Sequence, residues 1–470
     1  MSRLRSHLSP RLIVLLFVLT LGASLFAFAA TSTSTQTQTE LGTTQQQTAV
    51  RTSRETSLLP LRSACPVIPA KELFITDVSV VDDCIRTTWG PCLGPAPVLP
   101  ATQGAWTFGA NMAAVAGTNN PATLSNFTLQ WLNTWSVNQT INSDPVPARP
   151  DVQTLIINPW MAASGGTTLD MKKAPFRLLA IVARLDLRQN AGYSGGNTAG
   201  EGRFVYNLLD AGGNPTQFLV IFEYGLDARD CFSVLDWAKA WHGLGSFAFG
   251  PSYNAALQSV TDRFATIGAS PGKPNGSAIN QVRTNDFHLL RPWELREFKL
   301  NAKVLVVPSP LSPFTVAQTP ARSLQQTAAI STYVNANEPS ILAHTHVVPL
   351  VWAAAPFRGG ASPHSLDLGW DGPPPVCTSI VNPEARHAFS LDTCSGCHGD
   401  ETATVFKHVE PRLPGAPSAL STFLTGGSAV DMCGRNHNFG DIERRRVDLC
   451  QLLDKTCSQV SEEPVVTFVH

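Results

Sequence analysis

The sequence predicts an α+β protein in which a central, largely antiparallel sheet with flanking helices is followed by a small all-α C-terminal domain. Three observations carry that expectation. Five segments in the middle of the chain are rich in β-branched and aromatic residues, as strands are: AIVARLDLR (180–188), GRFVYNLL (202–209), QFLVIFEYG (217–225), INQVRTNDF (279–287) and ELREFKLNAKVLVV (294–307). Two helical segments, CFSVLDWAKAWHGLG and SYNAALQSVTDRFATIG, lie between the third and fourth of these, and runs of strands, then helices, then strands point to antiparallel pairing. Around residue 383 the composition changes, and helical stretches surround the pentapeptide CSGCH at 394–398.

In chain order, residues 1–30 read as a signal peptide or N-terminal anchor. MSRLRSHLSPR carries three arginines and leads into an apolar stretch from Leu12 to Ala30. Ala27-Phe28-Ala29 fits the small-x-small rule for cleavage, while the nineteen residues of the stretch are just enough to span a bilayer if retained. Residues 31–60, rich in Thr, Gln and Ser, show no apolar periodicity and read as a disordered tether. The main α+β domain is expected over 61–354. It opens with a short strand in ELFITDVSVVD and two helical patterns, GAWTFGANMAAVAG and NFTLQWLNTWSVNQ. Phe127, Leu129, Trp131, Leu132 and Trp135 of the second suit a buried face. A further helix is expected in ARSLQQTAAISTYVNAN. Residues 355–382, rich in Pro, Gly and Ser, read as a linker or covering loop before the last domain, 383–470. Helices are expected there in PSALSTFLTGG and FGDIERRRVDLCQLLDKTCS.

Charge is balanced, with 34 Lys plus Arg against 35 Asp plus Glu, so no long-range field steers the chain to nucleic acid or to an acidic membrane surface. Membrane contact is expected only through the N-terminal segment if it stays uncleaved. Charged residues make up 15% and the chain holds 34 glycines and 35 prolines, the profile of a loop-rich exported protein of the periplasm, outer surface or extracellular space. Its ten cysteines then imply oxidised chemistry. Cys84 and Cys92 flank a Gly-Pro turn that can bring them together. Cys450 and Cys457, on one helix, would stand roughly 10 Å apart, too far for one bridge, so each is expected to reach elsewhere, Cys433 being one candidate.

Period-2 reading of the strands places Arg184, Asp186 and Arg188 on one face, and likewise Arg203 with Asn207, Arg283 with Asn285, and Glu294 with Arg296. With Glu201 and Glu223, these describe either a cross-strand ladder of ion pairs or a polar cleft whose carboxylates do acid/base work in hydrolysis. No nucleophile is identified: G-x-S-x-G, H-E-x-x-H and a phosphate-binding Gly-rich loop are all missing from the sequence. Catalytic residues therefore stay unknown. His344 and His346 form an H-x-H pair that a metal could use from a strand, although an ordinary strand with one polar face explains it too.

The chemistry of CSGCH is more specific. Two thiols three residues apart lie on one side of a helical turn, where they can add to the two vinyl groups of a haem, and the next residue presents an imidazole to the iron. Cys394 and Cys397 are the expected thioether anchors and His398 the expected iron ligand. The alternative is a short Cys394–Cys397 disulfide in a cell-surface binding or structural protein without haem. Candidates for the sixth ligand are His408 and, after it, Met432, with His437 and upstream His387 also within reach in sequence; Arg386 and Arg412 are candidate partners for the propionates or simply solvated.

LDTCSGCH resembles the attachment motif of c-type cytochromes, which implies one covalent haem c and a C-terminal cytochrome c-like domain. APFRLLAIVARLDLR, GEGRFVYNLL, VIFEYG and PWELREF are similar to segments of large secreted proteins of soil bacteria that end in a comparable C-x-x-C-H segment, a likeness that implies architecture alone. The expected function is one-electron transfer by an exported haem protein, coupled to a binding domain, with a redox partner protein or surface component as its partner.

Overall fold

The computed structural model describes residues 66–90, 92, 103–190, 198–304, 307–364 and 369–461, and these belong to one compact unit. The expected signal segment and tether lie outside the described residues. Among the described residues, no helix is long and apolar enough to cross a membrane.

An eight-stranded antiparallel sheet organises the molecule. Its strands are β1 (Phe74–Ile75), β2 (Phe176–Arg184), β3 (Thr198–Leu209), β4 (Pro215–Asp227), β5 (Ile279–Asp286), β6 (Trp293–Leu300), β7 (Leu311–Phe314) and β8 (Ser362–His364). β1 to β6 lie side by side in chain order, and β6 then pairs with β8 along its first half and β7 along its second. The expected strands are thus present, with β2 starting and ending four residues earlier than AIVARLDLR and β6 stopping at Leu300 rather than running to 307. Asp186, expected on the strand, sits in a turn just beyond it and pairs with Arg184.

Antiparallel sheets commonly leave one face to solvent. Here β3 is buried from Thr198 to Leu208, so both faces are covered. Phe204, Tyr206, Phe218, Phe222, Tyr224 and Phe298 point one way into the main core. The helices α1 (Phe108–Ala116), α2 (Pro121–Asn133), α3 (Cys231–His242) and α4 (Pro251–Thr261) contribute to that core, and Trp131 and Trp135 are fully buried in it as their spacing suggested. Local chemistry sets the helix starts: Thr107, Asn120 and Asp230 each accept a backbone N–H of the first turn, and Gly117 ends α1 at φ 69°.

The opposite face carries Val182, Val205 and Leu219 among charged residues, and the C-terminal part of the chain packs on it through Leu391, Cys397, Val409, Phe423 and Leu424. This corrects the expected architecture. The last ninety residues are not a separate all-α domain, because their apolar side chains share one cluster with the sheet. The helices α5 (Ala328–Ala336), α6 (Pro383–Leu391), α7 (Cys394–Cys397) and α8 (Asp441–Leu453) are accompanied by a hairpin of β9 (Gly427–Val430) and β10 (Asn436–Phe439), which follows PSALSTFLTGG, the stretch expected to be helical. Only Thr422–Thr425 of that stretch is helical. Residues 355–382 are likewise no linker: they supply β8 and the buried Trp370.

Among the described residues, three disulfides reinforce this arrangement: Cys84–Cys92, as expected, with Cys231–Cys457 and Cys377–Cys433. Cys450 is also disulfide-bonded. Cys433 is therefore committed to Cys377 and bridges neither Cys450 nor Cys457.

Candidate functional site

α6 ends at Leu391, and the chain turns immediately into α7, which holds both motif cysteines. Thr393 sets the turn: its hydroxyl donates to Ser390 O (2.7 Å) and accepts from Gly396 N–H (3.0 Å), while Cys394 N–H donates to Thr319 Oγ1 (3.1 Å). Position 396 has room for no side chain, since a Cβ there would lie 2.0 Å from Ser390 O. Gly399 is as constrained, with a Cβ falling 2.2 Å from His364 Nε2. The motif is thus wedged into its surroundings on both sides of Cys397.

Between α7 and the sheet lies a cavity of about 90 Å³, smaller than the roughly 300–1,000 Å³ of ligand pockets. Cys394, Cys397, His398 and His408 line one side of it; Arg203, Glu223, Arg283 and Asn285 line the sheet side, and Arg445 closes it. Both cysteines are buried and carry free thiols, whereas Cys84, Cys92, Cys231, Cys377, Cys433, Cys450 and Cys457 are all oxidised. The structure does not contain the alternative Cys394–Cys397 disulfide. Burial pushes both thiols up, Cys397 furthest, so neither is the thiolate that thiol exchange requires.

His398 is fixed by a carbonyl. Its Nδ1 donates to Phe406 O (2.9 Å), an acceptor that also takes Asn285 Nδ2–H (2.7 Å) and that belongs to a residue held at φ 64°. Trp293 stacks against the imidazole with ring centroids 5.3 Å apart, and its indole N–H donates to Asn285 Oδ1 (2.6 Å). Burial, with help from Arg283, pulls His398 down to about 4 despite the Phe406 carbonyl, so the ring is neutral at physiological pH. A neutral imidazole whose Nδ1–H is engaged by a carbonyl presents Nε2 as a ligand atom.

The other expected ligands are placed differently. His408 Nε2 lies 3.2 Å from Cys397 Sγ, and its ring centroid is 4.3 Å from that of His398. Two imidazoles trans on one iron need roughly 6 Å between centroids, given metal–nitrogen bonds of about 2 Å. His408 therefore packs beside His398 as placed here. Met432 sits in the turn between β9 and β10 and does not line the cavity. His387 and His437 are turned to each other as a stacked pair. Arg386 and Arg412 are neither solvated nor at the cavity: Arg386 is buried on Glu401 and Asp431, Arg412 on Asp82. The H-x-H pair is no strand either. His344 takes φ 51° after a short helix, and both imidazoles approach Asp392, at 3.0 Å and 3.6 Å. That carboxylate lies two residues before Cys394, so the pair anchors the motif.

No family model, no curated protein and no solved structure matches this chain. What the site does is therefore read from its geometry.

Charge bookkeeping around the cavity is informative. On the sheet side Arg203 pairs with Glu201 and Glu223, and Arg283 with Glu223 and Glu297, a buried ladder covered by the motif segment. Gln281 Nε2 donates to both Glu201 (3.2 Å) and Glu223 (2.6 Å). Glu294 is on the opposite face, held by Arg149 and Arg296, so the three carboxylates considered for hydrolysis do not converge. Among the described residues, Arg184, Arg444 and Arg445 pair with Asp186 and Asp441. Arg445, buried to 4% exposure, has no hydrogen-bond partner at Nε or Nη1 among the described residues. Burial and Arg184 pull it down to about 10, which still leaves it charged at neutral pH. An anionic group entering the cavity would find this cation waiting. Sequence reasoning missed Arg445 because ERRRVD reads as a solvated run; it missed Trp293 because a strand tryptophan reads as core.

The ladder also sets an acid limit. Burial raises Glu297, but Lys299 and Arg283 outweigh it and hold the carboxyl at about 2 against an ordinary value near 4.5. Between those two values the unfolded chain binds the proton and the folded one does not, so the stability Glu297 contributes is complete above pH 4.5 and is lost as pH falls toward 2. Glu297→Gln is expected to flatten that acid limb in denaturant titrations while lowering stability at pH 7; an unchanged limb would assign the acid loss to other carboxylates.

Proposed function

We propose that the protein is an exported haem protein that transfers single electrons, with one haem c attached at the cavity between α7 and the sheet, which would have to widen to admit it. The observation that carries this reading is chemical selection: the two motif cysteines stay thiols in a chain whose other described cysteines are oxidised, and they line one cavity with His398. Each thiol adds its S–H across a vinyl double bond, so attachment requires no oxidant and loses no atom. When bound, the haem supplies a reversible one-electron couple tuned by its ligands and by burial.

The chain's own residues then have definite tasks. Cys394 and Cys397 would anchor the haem and His398 Nε2 would hold its iron, the ring's orientation being set by Phe406 O and Trp293. Arg445 supplies the counter-charge for a propionate. Arg203 and Arg283 add positive charge on the sheet side, already balanced by glutamates. With His408 packed beside His398 and Met432 outside the cavity lining, a bound haem would leave its iron accessible to a small ligand. Export is supported by the arginine-led apolar N-terminus and by the disulfides. The partner is a redox protein or surface component that docks near the cavity mouth.

Absorption spectra of protein matured in a host with cytochrome c assembly test both parts. A Soret band that shifts on reduction, reverses on reoxidation and shifts again when carbon monoxide is added to the reduced protein is expected. A spectrum indifferent to reductant would remove electron transfer; one indifferent to carbon monoxide would return a protein ligand, His408 first, to the sixth position.

A further inference from the structure

A second metal-binding constellation lies behind the motif, outside the cavity. His387 from α6, Asp431 from the β9–β10 turn and His437 from β10 bring one ligand atom each to within 4.8 Å of the others, and all three residues are buried. The two imidazoles stack at 3.4 Å, and His437 Nε2 lies 3.1 Å from Asp431 Oδ2. Two donors on one tetrahedral ion with bonds of about 2.0–2.1 Å stand roughly 3.3 Å apart, which the His437–Asp431 spacing meets, while the parallel imidazoles must tilt apart for both ring planes to contain the ion.

The surroundings have the form of a metal site's outer shell. Glu401 accepts from His387 Nδ1 (2.5 Å), the carboxylate–histidine contact that fixes a tautomer and turns Nε2 to a cation. Arg386 holds Glu401 and Asp431 together, and Asp431 Oδ1 accepts the backbone N–H groups of Cys433 and Arg435 (each 2.9 Å). The turn is pinned further by the Cys377–Cys433 disulfide. The cluster thus contains two buried carboxylates against one arginine, a residual negative charge in a water-poor place.

We propose that His387, His437 and Asp431 bind one divalent transition ion of the zinc class, with Glu401 as the orienting carboxylate of His387. Such a structural ion fastens the hairpin to α6, the helix that leads into the haem-attachment turn.

The test uses the full mature chain, stripped with a chelator and titrated with Zn2+ or Co2+. One equivalent of zinc is expected by elemental analysis, and bound Co2+ is expected to show tetrahedral d–d bands without thiolate charge transfer. His437→Gln and Asp431→Asn are expected to lower zinc affinity at least tenfold, whereas Cys394→Ser/Cys397→Ser leaves it unchanged. No stoichiometric zinc, or zinc that follows the cysteines with a thiolate spectrum, overturns the proposal. The cobalt spectrum of the unmutated chain decides the matter even if a variant fails to fold.

Discussion

Replacing Cys394 and Cys397 together by serine is expected to abolish covalent haem. After denaturing electrophoresis the double variant should show no haem-dependent staining, while the unmutated chain stains strongly. The expectation follows from where the two sulfurs sit. Both are buried on one side of α7, both are thiols, and the cavity they line is the one His398 enters. Each single variant keeps one anchor and should stain weakly. His398→Ala keeps both anchors and loses the ligand, so staining should persist while the Soret band broadens and shifts. Serine is close to isosteric, and a buried hydroxyl costs about 1–3 kcal/mol, so the disulfides and far-UV dichroism should survive. Equal staining of the double variant and the parent would mean that no thioether forms at this motif.

The largest stability effect is expected at Arg386. Its side chain is 1% exposed and bridges Glu401 and Asp431, both fully buried. Arg386→Met removes the cation, keeps most of the volume, and leaves two carboxylates without it. Breaking a buried pair from one side costs about 3–5 kcal/mol. Denaturant midpoints should fall accordingly at pH 7 and less at acid pH, where the orphaned carboxyls take up protons. Adding Glu401→Gln to Arg386→Met should recover part of the loss. A loss below about 1 kcal/mol at pH 7 would place the network among weak surface pairs.

Much of the sheet was legible because β-branched and aromatic runs with period 2 are local signals, and residues set apart as polar on those strands, Arg203, Glu223, Arg283 and Asn285, are the ones that line the cavity. The motif was legible for the same reason: its chemistry needs three residues at fixed spacing. The separate C-terminal domain was the main error. Composition changes near 383, but it cannot report that Leu391, Val409, Phe423 and Leu424 cover the charged face of the sheet. That face read as an ion-pair ladder or a polar cleft, and the segment that covers it is remote in sequence, so no local pattern reports the cover. The surroundings of the histidines were illegible on similar grounds. His344, His346, His387 and His437 are distinguished by the carboxylates they meet, Asp392, Asp431 and Glu401, and those meetings are tertiary.

The most direct measurement is the intact mass of the mature chain, denatured and treated with a thiol alkylator. Thioether formation adds the whole haem and consumes two thiols, so the expected result is the polypeptide plus one haem, with neither Cys394 nor Cys397 alkylated. A bare polypeptide mass with both cysteines alkylated, from cells that mature other c-type cytochromes, would contradict covalent haem at this site.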